Sequence, residues 1–225
     1  MSETGDPRGT LAERLEANTI ERRKRLADSD WKTIDGSIRA LDASGVRANV
    51  LQPGRTAPDF ALPNADGEIV RSTELRSRGP LVVKFYRGSW CSYCNVEVRA
   101  LMEVLGEIRA LGGDMVAITP ELPDEAAKMT AKHGLAFEVL SDVGNRVARQ
   151  YGLVWTLPDR VRDFYGRIGL DLERSNGDDS WELPIPGNFV VAPDGTLLDV
   201  FADPDYRVRQ EPAEVVGAIR RWAGR

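Results

Sequence analysis

The sequence predicts a mixed α/β protein, a sheet with helices on both faces. Three observations predict it. Short apolar runs rich in β-branched and aromatic residues recur between Phe60 and Phe201. Segments with helical spacing of apolar residues separate them. Asp-Gly turns close a hairpin near each end of the series, at Asp66-Gly67 and Asp194-Gly195.

Residues 1–10 are polar and read as disordered. From Leu11 the chain turns helical and highly charged, with Leu11, Leu15 and Leu26 as a thin apolar stripe. A second helix from Asp30 carries Trp31, Ile34, Ile38 and Leu41 at helical spacing, with Asp30 as the expected cap. Gly45 and Pro53-Gly54 break the run. Residues 1–54 therefore read as a helical N-terminal extension, docked on the main domain (55–225) or on another subunit. The run Arg22-Arg23-Lys24-Arg25 is surrounded by Glu13, Glu16, Glu21, Asp28 and Asp30. It predicts a solvated helix face, not a nucleic-acid site.

Phe60-Ala61-Leu62 and Ile69-Val70 form a hairpin across Asn64-Ala65-Asp66-Gly67. Leu81 to Tyr86 is a buried strand. It leads through Arg87-Gly88-Ser89-Trp90 into a long helix with Val96, Leu101, Val104, Leu105 and Ile108 on its apolar face, ended by Gly112-Gly113. Met115 to Ile118 is the next strand. Pro123 to His133 is a helix with its proline early, where a missing N–H costs nothing. Phe137 to Leu140 is a strand and Val143 to Tyr151 a helix. Residues 157–182 read as an insertion, expected to form a flap near the active site. Its helix opens at Pro158-Asp159 with Val161, Phe164, Tyr165 and Ile168 inward, and a polar loop runs from Glu173 to Trp181. Trp155 and Trp181 bracket the insertion and offer apolar contact to substrate. Asn188 to Val191 and Leu197 to Phe201 form the second hairpin. A last helix from Pro212 to Trp222 buries Val215, Val216, Ile219 and Trp222.

A chain of 225 residues suits one large domain, or one domain plus an extension. Its hydrophobic content, 42%, supplies a core without staples. Lys+Arg of 30 against Asp+Glu of 35 leaves −5, which argues against nucleic acid or an anionic membrane as partner. No apolar run approaches the roughly 18 residues of a membrane span. The polar, acidic N-terminus has no signal-peptide pattern, so the expected location is the cytoplasm. Two cysteines and one histidine exclude a disulfide-stapled fold and starve any metal site of ligands. No metal and no cofactor is expected.

The two cysteines are Cys91 and Cys94, in Trp90-Cys91-Ser92-Tyr93-Cys94, between a buried strand and the start of a long helix. That is the setting of a redox Cys-x-x-Cys. A thiol at a helix N-terminus meets the positive end of the macrodipole, which favours thiolate. The two-residue gap lets a disulfide close and open with little backbone motion. Half a zinc site would need a second pair that the chain lacks. Two inert buried cysteines would have no reason to sit at this spacing before a helix. Trp90 and Tyr93 share the motif and are candidates to line a substrate surface. His133 is expected at the surface.

Ala57-Pro58-Asp59-Phe60, the run from Leu81 to Leu101 (LVVKFYRGSWCSYCNVEVRAL) and Asn188 to Gly195 (NFVVAPDG) resemble the peroxiredoxin-like proteins of the alkyl hydroperoxide reductase C/thiol-specific antioxidant (AhpC/TSA) superfamily. The likeness spans roughly residues 55–222 and is greatest to the subgroup with a thioredoxin-type Cys-x-x-Cys. It implies a thioredoxin fold with an N-terminal β-hairpin. It places Cys94 at the peroxidatic position, Cys91 at the threonine of the Pro-x-x-x-Thr-x-x-Cys motif, and Arg87 at its proline. The family arginine that holds the thiolate falls on Pro186, where thioredoxins carry a cis-proline, so Ile185-Pro186 is expected to be cis. Loss of that threonine and arginine predicts slow peroxide chemistry, with Arg87 a candidate for the missing charge.

The function so implied is a thiol-dependent peroxidase. Cys94 attacks a hydroperoxide, Cys91 resolves, and thioredoxin or another thiol reduces the disulfide. Arg87, Trp90, Tyr93 and Pro186 are the expected substrate-binding residues. The alternative is a thioredoxin-like reductase of protein disulfides with Cys91 as nucleophile and Cys94 resolving. A redox sensor and a pathway-specific enzyme using the same dithiol stay open, as does a homodimer.

Overall fold

The computed structural model describes residues 9–224; the expected disorder of residues 1–10 falls almost wholly outside them. Leu81–Phe85 forms the central strand, β3, buried along its whole length as its apolar, β-branched sequence requires. In the sheet, β4 (Asp114–Thr119) lies parallel to β3, and β5 (Glu138–Ser141) parallel to β4. On the other side β8 (Gly187–Val191) and β9 (Leu197–Ala202) run antiparallel, giving the order β5-β4-β3-β8-β9. The first hairpin, β1 (Ala61–Pro63) and β2 (Ile69–Arg71), forms a separate two-stranded sheet, followed by the short helix α3 (Ser72–Arg76).

Pleating sends alternate residues to opposite faces. Val82, Met115, Ala117 and Val190 pack on one face with α1 (Leu11–Arg23), α4 (Ser92–Ala110), α5 (Pro123–His133) and α9 (Pro212–Ala223). Leu81, Val83, Phe85, Val116 and Phe189 pack on the other with a 3-10 turn (Val46–Asn49) and α6 (Arg146–Gln150). Lys84 has the parity of Val82, so the one charged side chain of β3 is driven toward α4.

The two N-terminal helices dock on their own chain. Leu11 and Ala12 donate their free N–H groups to the Glu211 carboxylate at 3.0 and 2.8 Å, and Leu11 and Leu15 are buried. Helix α2 (Asp28–Ala43) buries Trp31 and Ile34 against α7 (Asp159–Arg167). It starts two residues before the expected cap: Ala27 is the N-cap, and Asp30 pairs with Arg167 at 2.6 Å. The basic run is not wholly a solvated face. Arg23 stacks over Trp31, and half-buried Arg22 turns inward toward Tyr93.

Residues 157–182 hold more structure than their polarity suggests. The expected loop contains helix α8 (Leu172–Asn176), whose first turn is capped by Asp171. β6 (Val154–Thr156) and β7 (Glu182–Pro184) pair and close the insertion at its base. Ile168 is 45% exposed rather than inward, because the helix ends at Arg167 and the turn carries it out. Trp222 is only half-buried, near the frayed end of α9. Ile185-Pro186 is trans, and no cis bond occurs among the described residues. No helix among them is long and apolar enough to cross a membrane.

Candidate active site

Cys91 is the N-cap of α4 and Cys94 its third residue, so both sulfurs sit in the first turn of one helix. They are free thiols 2.7 Å apart, 3% and 0% exposed. Ahead of them, Ser89 gives its N–H and hydroxyl to the buried Glu121 carboxylate at 2.7 and 2.8 Å, and Ser175 of α8 donates to the same carboxylate. Glu121 thereby ties the insertion to the loop before the motif. Asn95 donates to the carbonyls of Ser89 and Cys91 at 2.8 and 2.7 Å, while its own oxygen meets Lys132 and the half-buried His133.

Behind Cys94 lies a buried ionic cluster. Lys84 Nζ reaches the Glu97 carboxylate at 2.6 Å, and Arg209 pairs with the same carboxylate. Arg209 also donates from Nη2 to the Cys94 sulfur at 3.4 Å. Asn188, opposite Lys84 in the β3–β8 ladder, donates to Glu97 at 3.2 Å. Buried ionised groups persist only when paired. Lys84 and Arg209 bring two positive charges and Glu97 one negative; a thiolate at Cys94 would supply the second. Burial alone would raise the Cys94 pKa. The hydrogen bond with Cys91 and the charges of Arg209 and Arg87 outweigh it and hold Cys94 well below the usual thiol value. Burial and the neighbouring Cys94 drive Cys91 the other way. Burial also brings Lys84 down to about 8, against the pull of Glu97.

In front of Cys91 opens a cavity of about 250 Å³. Arg87, Trp90, Cys91 and Tyr93 line it from the motif side, Arg22 from α1, and Phe164, Tyr165 and Ile168 to Leu170 from the insertion. Arg87 is 3% exposed, bonds the Tyr165 hydroxyl and lies over the rings of Tyr206 and Trp90 at 4.1 and 5.0 Å. The insertion thus flanks the motif, through Phe164 and Tyr165. Trp155 and Trp181 are not in the lining and pack instead beside the α2–α7 cluster. Pro186 is buried at the start of β8 and does not line the cavity. With its bond trans, the thioredoxin-type role expected for it has no counterpart here. Arg87, Trp90 and Tyr93 do converge on the cavity.

Sequence reasoning missed Arg209, Glu97 and Lys84. A signal existed for two of them: Lys84 interrupts an otherwise apolar buried strand, and Glu97 stands one helical turn after Cys94. Arg209 comes from a loop with no pattern of its own. None of the groupings of His, Cys, Asp and Glu among the described residues could hold a metal ion.

The AhpC/TSA family pattern matches residues 53–200. The chain belongs to the AhpC/TSA family. Within it, the chain is 34% identical to peroxiredoxin Bcp of Escherichia coli (strain K12) over 155 residues, 69% of this chain and 88% of that protein. It is 33% identical to a putative peroxiredoxin of Mycobacterium tuberculosis (strain ATCC 25618 / H37Rv) over 148 residues, 66% and 83% of the two chains. The solved structure of peroxidoxin BcpB from Mycobacterium tuberculosis matches with TM-score 0.60 at 22% identity, covering 76% of this chain and 97% of that one. Peroxiredoxin Q of Xanthomonas campestris matches with TM-score 0.55 at 17% identity, over 77% and 97%. At such identities these two likenesses speak for the fold, the thioredoxin fold of peroxiredoxins. As an AhpC/TSA protein with peroxiredoxin relatives, the chain is a thiol-dependent peroxidase. Arg22 and Tyr206 of the cavity and Arg209 of the ionic cluster lie outside the matched span.

Proposed function

We propose that the chain reduces hydroperoxides through a Cys91/Cys94 dithiol cycle in which Cys94 attacks first. The observation that carries this order is the Arg209 contact to the Cys94 sulfur, beside the Glu97–Lys84 pair. The attacking species is a thiolate, and buried positive charge is what stabilises one. Arg209 and Arg87 replace, from other parts of the chain, the family arginine lost at Pro186. The slow chemistry expected from that loss is therefore no longer required.

In the first step the Cys94 thiolate attacks the distal peroxide oxygen, the O–O bond breaks, and an alkoxide or hydroxide leaves and takes a proton from water. Arg209 holds the attacking thiolate from behind, and Arg87, on the cavity side, stabilises the charge that moves onto the leaving oxygen. The product is a sulfenic acid on Cys94. Cys91 attacks that sulfur, losing its proton as the hydroxyl departs as water, and the disulfide closes. Two equivalents of a thiol, from a thioredoxin-like protein or another reductant, return the dithiol. We place the cycle in the cytoplasm, where such reductants act. In this reading residues 1–54 serve as an extension of the 55–225 domain that walls the cavity.

A second reading has one observation in its favour: Cys91, not Cys94, faces the cavity. It makes Cys91 the nucleophile toward a disulfide substrate, with Cys94 resolving.

The direct test mixes the reduced protein in a stopped-flow cell with hydrogen peroxide or an alkyl hydroperoxide, beside an insulin-disulfide assay. One equivalent of either peroxide should be consumed per chain, both thiols should vanish, and non-reducing electrophoresis should show a monomer band. A dominant reducible dimer would exclude the intramolecular cycle. Insulin reduction that outpaces peroxide consumption would favour the second reading.

A further inference from the structure

The cavity in front of Cys91 has an unbalanced polar lining. It presents two guanidinium groups, Arg22 and Arg87, and no Asp or Glu. Neither arginine forms an ion pair among the described residues. The Nε atoms of both, and the indole nitrogen of Trp90, are buried without an acceptor. Buried polar groups are normally satisfied, and unsatisfied ones concentrate where a ligand completes the set. Here every orphan is a donor, so the missing partner is an acceptor, and two cations make it an anion.

The rest of the lining sets the body of that ligand. Trp90, Tyr93, Phe164, Tyr165 and Tyr206 give aromatic walls. A cavity of about 250 Å³, at the roughly 10–15 Å³ of such volume that one water needs, admits a ligand of on the order of fifteen heavy atoms. Arg87 lies deep, 3% exposed, and Arg22 is half-buried on α1. Water or hydrogen peroxide would use neither the aromatic walls nor the second cation.

Resting on the peroxidase reading above, we infer that this cavity selects an organic hydroperoxide with a compact aromatic body and a carboxylate. Arg22 pairs with the carboxylate, and the peroxide group lies at Arg87 beside Cys91, behind which the Cys94 sulfur stands 2.7 Å away. A guanidinium and a carboxylate match in a planar two-point contact, stronger than a neutral hydrogen bond. Arg22 is then a specificity-determining residue, supplied by a helix outside the family-matched span.

The test uses the full-length reduced protein and three probes of nearly one shape: cumene hydroperoxide, its 4-carboxylate and its 4-carboxamide. The value of kcat/KM for the carboxylate should exceed that for the carboxamide by about tenfold or more, the size of one charged hydrogen bond. Arg22→Gln should bring the ratio near one, and Arg22→Lys should keep part of it. Calorimetry with 4-isopropylbenzoate and 4-isopropylbenzamide, which carry no peroxide, reads the same preference without turnover. Equal handling of the hydroperoxides together with equal binding of 4-isopropylbenzoate and 4-isopropylbenzamide would overturn the inference and leave the peroxidase reading standing. Benzoate selectivity without consumption of any hydroperoxide would support the anion site and overturn the peroxidase reading. A preference that survives Arg22→Gln undiminished would overturn the assignment to Arg22.

Discussion

Cys94→Ser is expected to make the protein inert to hydroperoxides, whereas Cys91→Ser should still consume one equivalent and stop at a sulfenic acid trapped by dimedone. The asymmetry follows from where the charge sits. Arg209 meets the Cys94 sulfur, and among the described residues no cationic side chain donates to the Cys91 sulfur. Serine at 94 leaves a hydroxyl that does not ionise near neutral pH, so no nucleophile forms there. Serine at 91 removes only the group that resolves. Thiolate absorbance near 240 nm checks the same point without peroxide. In Cys91→Ser it should persist well below the usual thiol range, and in Cys94→Ser it should appear only near or above it. The sign for stability agrees: a thiol pKa depressed in the fold stabilises the reduced protein above the unfolded value, and that contribution fades as pH falls through the folded one. A Cys94→Ser protein that reacts rapidly with peroxide, or traps a mixed disulfide through Cys91, would transfer the attack to Cys91.

Glu97→Gln is expected to cost about 3–5 kcal/mol, the range for breaking a buried ion pair by removing one partner. Glu97 is fully buried and is the carboxylate that Lys84 and Arg209 share. For a chain of this size that loss lowers Tm by on the order of 10 °C. The oxidised protein should lose more than the reduced one, because without the thiolate nothing negative faces the two cations. Thermal melts of both redox forms measure this. A drop below about 1 kcal/mol in each form would show that water already screens the cluster.

Much of the fold was legible because its signals are local. The strand at Leu81 to Phe85, the helix after the motif, the Pro123 helix and both Asp-Gly hairpins follow from apolar spacing and turn chemistry. The β6–β7 pairing was not, since each strand has three residues and contact between distant segments decides it. Helix α8 was hidden in a polar stretch whose capping aspartate outweighs its composition. At the site, the cysteine pair with Arg87, Trp90 and Tyr93 was readable because one short motif carries them. Arg22 and Arg209 were not, because they arrive from opposite ends of the chain. Each reads, in one dimension, as an ordinary surface residue.

The charge pattern behind Cys94 also sets which redox state the protein prefers. Closing the disulfide discharges the thiolate, and Lys84 and Arg209 are then left facing Glu97 alone. In the proposed cycle the oxidised form carries that imbalance, so the disulfide is expected to be an avid electron acceptor. Stabilised reduced forms are what make some dithiol proteins strong oxidants. A mild cellular thiol should therefore suffice to reset the chain. Equilibration in glutathione buffers would measure this poise. A potential below about −300 mV, the range of inert structural disulfides, would contradict it.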